Sequence, residues 1–198
     1  RSVTLDGETH AVKVSGNHVT RVFNVTGGHV TFAYLTIADG NVQTTDCGSG
    51  LAAICGGGIM LQNNGVVVTV TQSTLISNTA TDWGGAILNM DGVLMVINST
   101  LSGNSATVGG GINNRAGAMT VMNSTLSGNS ALYGGGQSAM SRLVYCTPFP
   151  EVKVINSTFS GNSATIWGGA IYNSYGSLEI TSSTITTNTA PTGGGVHS

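Results

Sequence analysis

Apolar and polar residues alternate along this chain in short bursts that return at a nearly constant interval. The first burst of each unit is a pair of apolar residues one position apart: Val68/Val70, Leu94/Val96, Met119/Val121, Val152/Val154 and Leu178/Ile180. The residues between them are Thr69, Met95, Thr120, Lys153 and Glu179. A period of two is that of a strand, so the pairs face inward and the intervening residues face out. The second burst holds one inward residue, Leu75, Leu101, Leu126, Phe159 or Ile185. The third follows a Gly-Gly pair and holds Ile59, Ile87, Ile112, Ile171 or Val196.

Counted from Ser73, Ser99, Ser124, Ser157 and Ser183, the units step by 26, 25, 33 and 26 residues. Three strands and three turns in so short a unit leave no room for helices. The pattern predicts an all-β solenoid: strands wound into a prism, each bonded to its counterpart one coil away at about 4.8 Å. About seven coils account for residues 1–198 as a single domain, with irregular first coils over Val3 to Asn41. Two stretches break the pattern and are expected to be inserted loops, Val42 to Ile54 and Gln137 to Pro150; the second explains the 33-residue step.

The turns carry three files of asparagine: Asn78, Asn104, Asn129, Asn162 and Asn188; then Asn98, Asn123 and Asn156; then Asn89, Asn114 and Asn173. Stacked amides can bond up and down such a file, and Asn tolerates the left-handed backbone of a sharp turn.

Composition narrows the function classes. With 7% charged residues and a net charge of −2, there is no basic face for nucleic acid. Apolar runs are far too short for a membrane-spanning helix. Glycine is abundant (30) beside only 3 prolines, and 40% hydrophobic content argues against disorder. The chain opens at Arg1 and stops within a repeat, so it is read as a piece of something longer, with any targeting sequence out of view. Cys47 and Cys55 flank the first insertion and could form a disulfide, while Cys146 sits in the second. A disulfide would suit an extracellular or cell-surface location.

The run Asn-Ser-Thr-(Leu/Phe)-Ser-Gly-Asn-Ser-Ala, followed by Gly-Gly-(Gly/Ala)-Ile, resembles the right-handed parallel β-helix repeat proteins of bacterial surfaces and secretions. It is most similar to chlamydial polymorphic outer-membrane-protein-type repeats. The opening Thr4-Leu-Asp-Gly, Arg21-Val-Phe-Asn-Val and Leu35-Thr-Ile looks like the start of such domains. The resemblance implies a right-handed parallel β-helix of the pectin-lyase-like kind. It covers adhesin-like and carbohydrate-associated proteins, and the fold also hosts pectin-degrading lyases and hydrolases, so fold does not decide activity.

Three outer faces are candidate sites. Many β-helix enzymes place a groove on the first-strand face; here Lys153 and Glu179 fall on successive coils with Glu151 close by. Lys153 as base, or the paired carboxylates on a glycosidic bond, would make an enzyme; a surface ion pair is the plainer reading. Trp83, Tyr133 and Trp167 precede the Gly-Gly pair in three coils and would stack on sugar rings if exposed. Asp82 and the pair Asp91 and Arg115 add polar groups near that edge. Thr74, Thr100, Thr125, Thr158 and Thr184 form a flat file similar to ice-binding surfaces of some antifreeze β-helices, although Thr also simply suits a strand. His10, His18, His29 and His197 are scattered, so neither metal nor cofactor is expected.

The leading expectation is a surface-displayed module binding polysaccharide or a cell-surface glycan. A carbohydrate-active enzyme and a structural passenger segment of an adhesin are the competing classes. Open strand edges at the ends would allow end-to-end self-association.

Overall fold

The computed structural model describes residues 1–8, 10–43, 56–139, 150–174 and 176–198. Three parallel sheets of seven strands each wind into a right-handed β-helix of about seven coils. The first sheet stacks Ser2–Asp6, His29–Ala33, Val67–Thr71, Val93–Ile97, Ala118–Met122, Glu151–Ile155 and Ser177–Thr181. The second stacks Val12–Ser15, Leu35–Ala38, Thr74–Ile76, Thr100–Ser102, Thr125–Ser127, Thr158–Ser160 and Thr184–Thr186. The third stacks Phe23–Val25, Ile59–Leu61, Ile87–Asn89, Ile112–Asn114, Gln137–Ala139, Ile171–Asn173 and Val196–His197. A shorter wall lies between the second and third sheets, where Asn41–Val42 pairs with Thr79–Ala80 and Ser130–Tyr133 with Ser163–Trp167. Among the described residues no helix is long and apolar enough to cross a membrane.

The inward positions read from the alternation form the core. In the middle coils Val68, Val70, Leu94, Val96, Leu75, Leu101, Ile87 and Ile112 are fully buried. In the last coil Ile180 and Val196 lie partly open, because no strand covers them there. The unpaired edges of the first and last coils are the surfaces on which end-to-end association would run.

Polar ladders lock the coils in register. Asn78, Asn104, Asn129 and Asn162 are fully buried, and each Nδ2 donates to the Oδ1 of the next Asn at 2.9–3.1 Å. Each backbone N–H donates to that same oxygen at 2.9–3.0 Å. A second buried file runs through Ser73, Ser99, Ser124 and Ser157, each backbone N–H bonded to the next hydroxyl. The Asn98, Asn123 and Asn156 file takes the left-handed turn, with φ of 49°, 51° and 46°. In the third file Asn89 Nδ2 reaches Asn114 Oδ1 at 2.7 Å.

The Gly-Gly pairs do two jobs. Gly109 sits at φ 66°, where a side chain would be strained. A Cβ on Gly110 would lie 2.3 Å from the Ser130 carbonyl oxygen, so backbone meets backbone there.

The paired strands reach further than the sequence pattern suggests. Gln137 and Ser138 pair in register with Ile112 and Asn113, and Gln137–Ala139 with Ile171–Asn173, so the third sheet continues through Ala139. Gln137 hid the strand because it is polar in a file otherwise made of Phe, Ile and Val. Val42 is likewise buried and paired with Ala80. The bodies of both expected insertions (44–55 and 140–149), and with them Cys47, Cys55 and Cys146, lie outside the described residues.

Two substitutions test this account. Asn129→Ala strips Asn104 of the acceptor for both its backbone and side-chain N–H; it should cost about 2–4 kcal/mol in urea melts. Gln137 is fully buried with neither amide atom partnered, so Gln137→Leu should stabilise by about 1–3 kcal/mol. A destabilised Gln137→Leu would mean that the amide has a partner in solution.

Candidate functional site

After its second strand each middle coil passes through the ladder Asn and then a short polar residue and Ala: Asn78-Thr-Ala, Asn104-Ser-Ala, Asn129-Ser-Ala and Asn162-Ser-Ala. The alanines Ala80, Ala106, Ala131 and Ala164 are buried. A methyl group fills little space, and the Gly-Gly backbone packs directly behind, so the wall is dented. The dent is an open groove of about 400 Å³ crossing four coils, lined by Ala80, Ala106, Ala131, Thr81, Ser105, Thr107, Ser130, Leu132 and Thr165. Leu132 is 40% exposed.

The hydroxyls in the lining are partly committed. Thr81 Oγ1 donates to the Val42 carbonyl at 3.2 Å, and Thr107 Oγ1 to the Thr81 carbonyl at 2.6 Å. Ser130 and Ser105 share a hydroxyl–hydroxyl bond at 3.2 Å. Groups that donate inward offer acceptor lone pairs outward.

Trp167 lies two residues after Thr165 on the same strand, past an irregularity in its pairing with Ser130–Tyr133, and is 37% exposed. It is held in a ring cluster: Tyr133 at 5.4 Å, Tyr172 at 5.7 Å, and His197 stacked at 5.2 Å with planes 5° apart. Trp83 departs from expectation. It is only 5% exposed and packs with Met60, Leu88 and Val108, so it offers no face for stacking. The aromatic edge is therefore open only at its C-terminal end. Sequence reading missed Tyr172 and His197, which follow inward Ile171 and Val196 and so share one outward file. It also missed the groove, whose signal was the Ala recurring two residues after each ladder Asn.

The charged candidates spread over other faces. Lys153 Nζ lies 2.9 Å from Glu151 Oε1, with both side chains roughly half exposed. The hydrogen bond that Lys153 donates to Glu151, and then the carboxylate's charge, push the Lys153 ammonium pKa up. Glu179 pairs in register with Lys153, whereas Glu151 pairs with Ser177, so the two carboxylates sit in different files. Asp91 and Arg115 make no ion pair with each other; Arg115 donates its backbone N–H to Asn89. The carboxylate of Asp82, next to groove-lining Thr81, has no ion-pair or hydrogen-bond partner among the described residues.

One charged cluster lies near the N-terminal coils. Asp39 receives Lys13 Nζ at 2.8 Å and the Ser15 hydroxyl at 3.0 Å, with His18 Nε2 at 3.8 Å. The Lys13 hydrogen bond is the largest of the effects that hold the Asp39 carboxyl below its ordinary value.

Residues 72–90 and 156–174 each match the model of the Chlamydia polymorphic membrane protein repeat. Each match runs from the turn before the second strand through the ladder Asn and the Gly pair to just beyond the third strand. The likeness read from the sequence motif thus reappears in two separate coils. Comparison with curated proteins and with solved structures found no match.

The Asp39 cluster gives a pH prediction. A lowered folded-state pKa stabilises above the unfolded value of about 3.9 and is lost as pH falls through the folded value. Lys13→Met should therefore cost stability near neutral pH, and the deficit should shrink toward zero in urea melts as pH falls below the ordinary aspartate range.

Proposed function

We propose that this β-helix is a surface-associated module that binds polysaccharide on its outer wall. The observation that carries the reading is the groove of about 400 Å³, with partly exposed Trp167 two residues after lining residue Thr165. A mostly apolar lining with a few hydroxyls, on the same coil as an accessible aromatic ring, suits the alternating C–H faces and hydroxyls of sugars. The two matches to a polymorphic membrane protein repeat support a place at a bacterial surface. The ordered rings around Trp167 fix its indole in advance, which lowers the entropy lost on binding.

Turnover has less behind it. Lys153 is paired with Glu151 and its raised pKa keeps it protonated, whereas a proton-abstracting base must be free. Both side chains lie in water, where such a pair contributes little.

Affinity electrophoresis and calorimetry against a panel of plant and microbial polysaccharides test the proposal. Retention without new reducing ends or unsaturated uronates is expected, with Trp167→Ala weakening it about tenfold, some 1.4 kcal/mol. Glu151→Gln and Glu179→Gln should leave retention unchanged. Product formation that disappears in either variant would make the protein an enzyme, and no retention at all would leave a structural passenger.

A further inference from the structure

We propose that the groove takes an uncharged glycan, laid along the helix axis, and discriminates against uronate polymers. This rests on the glycan-binding reading above and adds the class of chain that fits.

Three observations support it. First, none of the groove-lining residues is charged. A carboxylate brought against Ala106, Ala131 and Leu132 would lose water and find no cation, a cost that an uncharged sugar avoids. Second, Thr81 and Thr107 spend their protons on the carbonyls of Val42 and Thr81, and Ser130 donates to the Ser105 hydroxyl oxygen, so three of the lining hydroxyls have their protons engaged. What they present outward is chiefly acceptor capacity. Sugar hydroxyls can donate to it, while a carboxylate only accepts. Third, Asp82 adjoins Thr81 at the end of the groove nearest the N-terminus and has no cationic partner among the described residues, so its charge repels an anionic chain.

The direction follows from the repeat. The lining comes from equivalent positions on four successive coils, in register through Thr79, Ser105, Ser130 and Ser163. Three coil steps of about 4.8 Å make a track of about 14 Å parallel to the axis, long enough for a short run of sugar rings. Trp167 stands at the far end, on the same strand as Thr165.

Calorimetry with mannan and a mixed-linkage β-glucan, against polygalacturonate and alginate at one ionic strength, tests the inference. The neutral polymers should bind at least tenfold tighter than the uronates. Leu132→Asp and Thr165→Arg alter exposed positions; the first should abolish neutral binding, and the second should weaken it at least tenfold. Circular dichroism shows whether each variant keeps the fold. Equal or tighter binding of uronates would overturn the inference while leaving glycan binding intact. Neutral binding that both folded variants retain would overturn the assignment to this groove. If none of the four polymers is bound, the glycan reading itself falls.

Discussion

The structure depends on each coil meeting the next in register, and the buried asparagine ladder shows why slippage is penalised. Asn104 accepts two bonds at Oδ1 from Asn78, and its own Nδ2 donates to the Leu75 carbonyl and to Asn129. Every amide atom is satisfied only while the same residue recurs at the same height one coil on. A shifted coil would bury an unpaired amide at each rung, at about 1–3 kcal/mol apiece. The ladder therefore fixes the register of its rungs, not the length of chain between them: Asn129 and Asn162 are bonded across 33 residues as Asn104 and Asn129 are across 25.

Once the backbone and ladders hold the stack, the outer faces are released from structural duty. The first-sheet outer file mixes Thr69, Met95, Thr120, Lys153 and Glu179 without disturbing the register. The wall bearing the groove is different, because there the Gly pair of one coil presses on the next. A Cβ on Gly85 would meet the Ser105 carbonyl oxygen at 2.6 Å, and one on Gly135 the Ser163 carbonyl oxygen at 2.4 Å. Bulk is excluded behind this wall, and apart from Leu132 the neighbouring positions keep to Ala, Ser and Thr. A concave strip is thus a by-product of close backbone approach, and a ligand site there needs no departure from the repeat.

This division explains what could be read from the chain alone. Alternation and spacing identified the core files, because Leu75, Leu101 and Leu126, or Ile87 and Ile112, are repeated for the same physical reason in every coil. Asparagine files were legible for the same reason. The site was less legible because it depends on what one-dimensional patterns omit: how far a side chain is covered by neighbours on other strands. Trp83 and Trp167 hold equivalent positions, yet Met60 and Leu88 bury the first while the second faces a ring cluster and water. Gln137 misled in the opposite way, since its polarity concealed a strand that the backbone pairing maintains.

The exceptions to the repeat also gather in one place. The unpartnered buried atoms of Asn113, Gln137 and Ser138 belong to adjacent strands of the third sheet, beside the strand that carries Tyr172. A globular core would feel such a concentration throughout, but a solenoid is stabilised coil by coil through its neighbours. The ladders above and below this point, at Asn104 to Asn129 and Asn129 to Asn162, remain complete. A local deficit between complete ladders is tolerable, and it lies against the coils whose outer side bears the groove and the exposed indole. Among the described residues this departure is thus confined to the third sheet, while the wall that carries the groove keeps its pairing from coil to coil.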